Sequence, residues 1–161
     1  VRPHPQHVRH MPERMEELKQ RFASDEDIEI QTDFSSNSTV FEADMMITDW
    51  SGIAYEYAYT TCKPVLFIDT PMKVMNPEYK KIDVEPINIW MRESIGATLK
   101  PDEMDKVPDV VEEMLNNADK YKDRIEKFVN EYVYNLGHSA EVGAEYIIGE
   151  VIKKIQEKKN N

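Results

Sequence analysis

A single cysteine, Cys62, is present among the 161 residues of the chain. One thiol forms neither an internal disulfide nor a thiolate zinc cluster, which predicts a reducing, cytosolic compartment. Long apolar runs are also lacking, and none approaches the ~20 residues of a membrane-spanning helix. The opening at Val1 has neither the charged start nor the apolar run of a signal peptide, and it does not resemble a helix start. We therefore expect a piece of a longer protein.

Positive charge is scarce in the sequence. The chain has 20 Lys and Arg residues against 31 Asp and Glu residues, a formal net charge of −11. A nucleic-acid binder needs clustered cations over phosphates, so we expect no nucleic-acid partner. The shortage is greatest from Phe22 to Cys62, where there is no Lys or Arg at all. With 40% hydrophobic residues, the composition is that of a soluble domain with a core of moderate size.

Short apolar runs indicate the fold class. Three of them are bounded by polar residues or proline, as buried parallel strands are. They cover residues 28–30, 45–48 and 65–68. Residues 53–60, between the last two runs, have the length of a crossover helix, and a shorter helical segment over 38–43 precedes the middle run. This alternation predicts an α/β fold, a Rossmann-like parallel sheet flanked by helices, in a single domain over the whole chain.

Helical periodicity is clearest near the two ends of the chain. Apolar spacing over residues 11–23 predicts an amphipathic helix. Stripes over 107–115 and 121–132 predict two core-facing helices, and a last helix over 138–158 has Ser139 as its cap. Residues 72–99 lack periodicity and contain several prolines, so they predict a long loop.

The turn after the second run, from Thr48 to Glu56, is the strongest candidate site. Ligands of open α/β sheets bind beyond the carboxyl ends of the strands. Here Ser51 can cap the next helix, Gly52 lets a ligand approach the backbone, and free helix amides would face an anion such as phosphate. The alternative is an ordinary strand-to-helix turn with a serine cap. The turn lacks the glycine pattern of a Walker loop or a Rossmann dinucleotide site.

An anion at Ser51 needs donors and positive charge from elsewhere in the chain, because the surrounding sequence is acidic. A hydroxyl such as that of Ser38 can supply a hydrogen bond. The candidate cations are Arg2, His4, Lys63 and Arg92. Net acidity therefore does not forbid anion binding but makes the predicted site local.

Three histidines, His4, His7 and His10, are spaced by three residues. No carboxylate or cysteine completes a recognised metal-ligand spacing with them, so we expect no metal and no cofactor. His4 differs from the others because its flanking prolines restrict the backbone and fix the direction of the ring. A catalytic or phosphate-contacting imidazole requires such a fixed direction. The alternative is a histidine on a surface loop.

Three segments of the sequence carry a resemblance to a known family. They are Arg2–Pro5, Ala43–Ala58 and Lys63–Phe67, and the middle one reads ADMMITDWSGIAYEYA. Together they resemble the carboxyl-terminal domain of the CDP-glycerol glycerophosphotransferases, whose members carry a comparable ADVLITDYSS block followed by DYA. These bacterial enzymes build teichoic acid and related poly(polyol phosphate) or capsular chains. The resemblance covers residues 2–68 well and the remainder loosely.

The resemblance implies a GT-B architecture, in which two Rossmann-like domains face a cleft and the second holds most of the donor nucleotide. The implied reaction is attack by an acceptor hydroxyl on the β-phosphate of CDP-glycerol or a related CDP-polyol, with release of CMP. A polymer or lipid-linked acceptor would bind through the amino-terminal domain, which this chain lacks, so we expect the chain alone to be inactive. The expected location is cytoplasmic, with the full-length protein peripheral at the inner face of the plasma membrane.

The resemblance also implies roles for individual residues. His4 matches the family's second-domain histidine near the pyrophosphate and is the catalytic candidate. The turn from Asp49 to Gly52 matches the turn around the donor phosphates, although Gly52 stands where a second serine is commoner. Glu56 stands where the family commonly has an aspartate that could meet a donor hydroxyl. The predicted donor-binding and phosphate-binding residues are Arg2, Ser38, Asp49, Ser51, Gly52 and Glu56.

Two other functions stay open at this point. The second domain of a nucleotide-sugar GT-B glycosyltransferase or of a UDP-sugar 2-epimerase shares the implied layout, and a preference for UDP-sugars would favour it. A non-catalytic, receiver-like interaction module would use Asp49 as a phospho-acceptor, with Asp44 or Asp69 nearby. Labelling of Asp49 by acetyl phosphate would favour that second alternative.

Overall fold

A computed structural model describes residues 1–72, 76, 78 and 81–159 of the chain. The chain divides into two compact units, an amino-terminal unit of Val1–Ala43 and a carboxyl-terminal unit of Asp44–Asn161. Residues 73–75, 77, 79 and 80, which belong to the segment predicted as a long loop, lie outside the described residues.

The amino-terminal unit contains three helices. They are α1 (Pro5–His10), α2 (Pro12–Arg21) and α3 (Ser38–Glu42). The helix predicted over 11–23 is confirmed as α2, with Pro12 in its first turn, where the missing N–H is harmless. The expectation that the opening segment does not start a helix is wrong, because Pro5 begins α1 and the side chain of His4 caps it.

The strand predicted over 28–30 does not form. The segment is nevertheless hydrogen-bonded to Val1 on both sides of Ile30. The amino group of Val1 donates to the Glu29 carbonyl, and the Gln31 amide donates to the Val1 carbonyl over 2.9 Å. These two hydrogen bonds join the segment to Val1, but among the described residues neither segment is a strand. The apolar pattern alone therefore does not give a strand.

The carboxyl-terminal unit is built on a parallel sheet of three strands in the order β1 (Met46–Thr48), β2 (Val65–Ile68) and β3 (Gly96–Leu99). The crossover helix α4 (Ile53–Thr61) joins β1 to β2, which confirms the predicted βαβ unit. Val65, Leu66 and Phe67 are fully buried in the central strand, as expected for a parallel strand covered on both faces.

The prediction of a structureless segment up to residue 99 is wrong in its last part. Two short helices, α5 (Ile87–Trp90) and α6 (Arg92–Ile95), lead directly into β3. β3 begins with Gly96, and a Cβ added there would lie 1.6 Å from the Val65 carbonyl oxygen. The strand therefore forms because its first residue can approach β2 closely, not because its own sequence is strongly apolar.

Helices complete the carboxyl-terminal unit. A 3₁₀ turn (Pro101–Lys106) leads into α7 (Val107–Asn116) and then α8 (Ala118–Tyr132), which confirms both predicted core-facing helices. Met114 of α7 is fully buried against residues of β2 and β3, and Ile125 is the most deeply buried residue of α8. The apolar stripe of α7 thus packs against the sheet and that of α8 against α4, α6 and α7, as their 3.6-residue period predicts.

The last helix, α9 (Ser139–Lys159), agrees with the predicted helix over 138–158. The predicted cap is wrong, because the Ser139 hydroxyl donates to the carbonyls of Tyr134 and Asn135 instead of accepting a helix amide. The apolar residues of α9 are exposed throughout, among them Tyr146, Ile147, Ile148, Val151, Ile152 and Ile155. No helix among the described residues is long and apolar enough to cross a membrane.

Candidate functional site

The carboxyl ends of β1 and β2 bring two turns together at one edge of the sheet. Because Thr48 pairs with Phe67 in the parallel register, the residues that follow the two strands emerge side by side. The Trp50 indole N–H donates to the Thr70 carbonyl over 2.8 Å and ties the first turn to the second. Asp69 follows β2 directly and precedes Thr70 in the second turn, and its amide donates to the Leu99 carbonyl over 2.8 Å. The predicted location of a site is thus a real edge of the sheet.

The amino end of α4 is open. Gly52 is the N-cap residue, with helical φ and ψ of −63° and −26°, and no side chain caps the helix. The carbonyls of Ser51 and Gly52 accept the amides of Ala54 and Tyr55 at 3.3 and 3.1 Å. Among the described residues the amides of Gly52 and Ile53 have no such partner, as helix geometry dictates for the first turn. These two N–H groups remain for a ligand.

Ser51 does not have the predicted capping role. It lies one position before the N-cap, and its hydroxyl has no hydrogen-bond partner within the described part of the chain. A Cβ added at Gly52 would meet no atom within 4 Å, so the protein itself does not require glycine there. At this turn the Ser51 hydroxyl and the amides of Gly52 and Ile53 therefore have no hydrogen-bond partner among the described residues. The space next to Gly52 is open.

Arg92 brings a positive charge to the same edge from α6. Its side chain is 7% exposed, and its Nη1 donates to the Asp69 carboxylate over 2.9 Å. The guanidinium carbon lies 4.0 Å from the centre of the Trp50 ring and 4.7 Å from that of Phe67. Burial raises the pKa of Tyr55, and the Arg92 charge partly opposes that rise.

The remaining predicted residues of this unit differ in what they can do. Asp49 and Glu56 are exposed, and the described residues supply no partner for either carboxylate. Lys63 precedes β2, so it belongs to the amino ends of the strands, where it pairs with Asp44 at 3.8 Å. Lys63 is therefore not a cation of the strand-end turn. The sequence named Arg92 only as one of several possible cations, and nothing local to it indicated its burial.

The predicted site residues of the amino-terminal unit are Arg2, His4 and Ser38. Nη2 of Arg2 donates to the Ser36 carbonyl and to Oδ1 of Asn37, both at 2.8 Å, so that side chain braces a loop. The Ser38 hydroxyl accepts from the Ser36 hydroxyl over 3.1 Å and is exposed. Within this unit, the side chains of Arg2 and Ser38 therefore take part in contacts of the loop that precedes α3.

His4 has an extended backbone, with φ of −60° and ψ of 138°, as predicted for a residue between two prolines. Its Nδ1 accepts the Gln6 amide over 3.1 Å. An accepting Nδ1 leaves the ring proton of the neutral imidazole on Nε2. The exposed ring therefore presents an N–H donor in a fixed direction. No group of three or more His, Cys, Asp or Glu residues suited to a metal ion occurs in the described ranges.

Over residues 1–148 the chain matches a family described as CDP-Glycerol:Poly(glycerophosphate) glycerophosphotransferase. That range includes every element from α1 to α8 and part of α9. No curated protein and no solved structure matches the chain.

Proposed function

The chain belongs to the CDP-glycerol:poly(glycerophosphate) glycerophosphotransferase family, and we propose that its strand-end turn binds the diphosphate of a CDP-glycerol-type donor. In this proposal the chain is the donor-binding, Rossmann-like half of a GT-B transferase that serves teichoic acid or capsule synthesis. The family's activity is transfer of glycerol phosphate, and the acceptor would be a polymer or lipid-linked hydroxyl.

One observation carries the proposal. The amino end of α4 is uncapped and lies beside the Ser51 hydroxyl, which has no hydrogen-bond partner among the described residues. The amides of Gly52 and Ile53 point out of the helix, and the helix dipole favours negative charge there by about 0.3 to 1 kcal/mol, more where the site is partly buried. Ser51 adds a further donor next to them. A phosphate offers several acceptor oxygens, so it can use all three donors at once.

The reaction assigns distinct roles to the predicted residues. The acceptor oxygen bonds to the β-phosphorus while the bond from that phosphorus to the bridging oxygen breaks, and the bridging oxygen leaves with CMP. The acceptor proton would pass to a general base. His4 would donate its Nε2 proton to a phosphate oxygen or to the departing CMP, as a positioned general acid does.

The other side chains would orient the donor. Asp49 and Glu56 carry carboxylates that can accept hydrogen bonds from the glycerol or ribose hydroxyls, and their negative charge keeps them from binding phosphate themselves. A phosphate-binding role for Arg2 and Ser38 stays a prediction, since both residues belong to the amino-terminal unit.

Calorimetry with the purified chain tests the proposal. We expect tighter binding of CDP-glycerol than of CMP, because only the former carries the β-phosphate. Ser51→Ala should weaken it, and Gly52→Ala should weaken it further, since the added methyl group fills the open space in front of the amides. Gly149→Ala in α9 is the matched control, because a Cβ there also meets nothing within 4 Å.

Specific outcomes would overturn the proposal. Absence of CDP-glycerol binding, or equal affinity in wild type, Ser51→Ala and Gly52→Ala, would exclude the turn as the donor site. Titrations with CDP-ribitol and UDP-glucose establish the donor class. Tighter binding of UDP-glucose than of both CDP-polyols would favour a nucleotide-sugar enzyme instead.

A further inference from the structure

Arg92 is the most deeply buried charged residue of the described chain, and the proposed function does not use it directly. It is 6% exposed, and two of its nitrogens, Nε and Nη2, are buried without a hydrogen-bond partner among the described residues. A buried guanidinium is costly unless neighbouring groups offset the cost. The groups that surround the guanidinium therefore indicate the role of Arg92.

Those neighbours are a carboxylate and two aromatic rings. Asp69 pairs with Nη1 at 2.9 Å. The guanidinium lies over the ring of Trp50 and over that of Phe67, at 4.0 and 4.7 Å from their centres. Attraction to a tryptophan face is the strongest form of this contact, worth about 2 kcal/mol when desolvated. The two nitrogens without partners are thus enclosed by the protein and do not face an open site.

We infer that Arg92 is a positioning residue: it fixes the indole of Trp50, and through it the backbone of Ser51 and Gly52. Trp50 is held at two points, by Arg92 over its ring face and by the Thr70 carbonyl at its ring N–H. The next two residues in the chain are the ones that carry the free hydroxyl and the first free amide. The effect on donor binding rests on the proposed function, whereas the effect on Trp50 does not.

Lysine cannot replace arginine in this arrangement. The planar guanidinium stacks on a ring while its edge donates to Asp69, whereas an ammonium is a compact, strongly hydrated point charge. A positioning role therefore predicts that Arg92→Lys behaves like Arg92→Met. A direct charge contact with a phosphate predicts that Arg92→Lys retains most of the function.

Fluorescence of Trp50 tests the inference without any ligand. The chain has two tryptophans, so a Trp90→Phe background leaves Trp50 as the single emitter. In that background Arg92→Met and Arg92→Lys should each move the emission to longer wavelength and increase quenching by acrylamide. Circular dichroism checks that each variant remains folded.

Arg124→Met is the matched control. Arg124 also stacks on a ring, that of Tyr121, and donates to the carbonyls of Ser94 and Gly96 at 3.0 and 3.1 Å. It supports the same segment of chain but does not contact Trp50. Arg124→Met should therefore leave the Trp50 emission unchanged even where it lowers stability.

Donor binding supplies the second measurement. Calorimetry should show CDP-glycerol affinity reduced about 30-fold in both Arg92 variants, the equivalent of a lost desolvated ring contact. Unchanged Trp50 emission and quenching in folded Arg92→Met would overturn the inference, and so would full retention of donor affinity by Arg92→Lys. If the wild type binds no donor, the proposed function fails, and the Trp50 measurement still decides the role of Arg92.

Discussion

Replacement of Gly96 by alanine tests the sheet order on which the site depends. Gly96 opens β3 opposite Val65 in β2, and an added Cβ would lie 1.6 Å from the Val65 carbonyl oxygen and 2.7 Å from its carbonyl carbon. Both atoms belong to the backbone, so no side-chain rotation relieves the overlap. The Gly96 backbone is extended, so the close approach alone accounts for glycine at this position.

The size of the effect follows from that geometry. Ordinary contact between carbon and oxygen needs about 3.4 Å, so the two strands would have to separate by roughly 2 Å locally. Such a shift breaks at least two ladder hydrogen bonds, worth about 1 kcal/mol each, and loosens the packing of Leu99 against Leu66 and Met114. We expect Gly96→Ala to lower the free energy of unfolding by at least about 3 kcal/mol.

Urea unfolding, followed by circular dichroism and by tryptophan fluorescence, measures this change. Gly52→Ala is the control, because a Cβ there meets nothing within 4 Å and its φ is −63°. Its free energy of unfolding should stay within about 0.5 kcal/mol of the wild type. If Gly96→Ala were as stable as Gly52→Ala, the parallel pairing of β2 with β3 in this register would be refuted.

Three further changes probe the core and the end of α4. Burial raises the pKa of both Tyr57 and Tyr59 to about 12, so the folded state keeps protons that the unfolded state loses near pH 10. Tyr57 alone should lower the stability by about 2 to 3 kcal/mol between pH 10 and 12. Tyr57→Phe should remove that share of the decline in pH-dependent urea titrations, and an unchanged slope would contradict the raised pKa of Tyr57. Cys62 ends α4 with a left-handed φ of 55°, so Cys62→Gly should be more stable than Cys62→Ala by about 1 kcal/mol, and equal thermal midpoints would contradict this. Leu66 is fully buried, so Leu66→Ala should cost about 2 to 5 kcal/mol in urea unfolding, and a loss below about 1 kcal/mol would place Leu66 outside the core.

Local periodicity identified the elements whose partners are close in sequence. The βαβ unit from β1 through α4 to β2 has strands with apolar runs and a helix of the right length, so each part is visible in the sequence by itself. β3 was missed because Gly-Ala-Thr-Leu carries only one large apolar residue. It becomes a strand through its contact with β2. That contact cannot be predicted from the local sequence, because β2 lies far away in the chain. The converse error at 28–30 has the same origin, since an apolar run without a ladder is not a strand.

The candidate turn was predictable, but the chemistry around it was only partly so. Its location follows from the general rule for α/β sheets, and Gly52 stands at the helix start as expected. The capping role predicted for Ser51 was off by one residue, because sequence patterns do not fix helix boundaries to that accuracy. The burial of Arg92 depends on Trp50 and Phe67, two rings from separate segments, and no local pattern reports such a meeting.

The net charge of −11 and an anion site at this turn are compatible for a physical reason. At the turn the charge of Arg92 is matched by Asp69 at 2.9 Å, so that pair adds little net field. The attraction for an anion would come from the amides of Gly52 and Ile53, whose dipoles are fixed by α4 and act over one helical turn. The acidic side chains nearest in sequence, Asp49 and Glu56, are exposed and screened by solvent and salt. A short-range site of this kind depends on the exact position of its backbone, which is why a buried residue that fixes the turn matters more to it than the total charge.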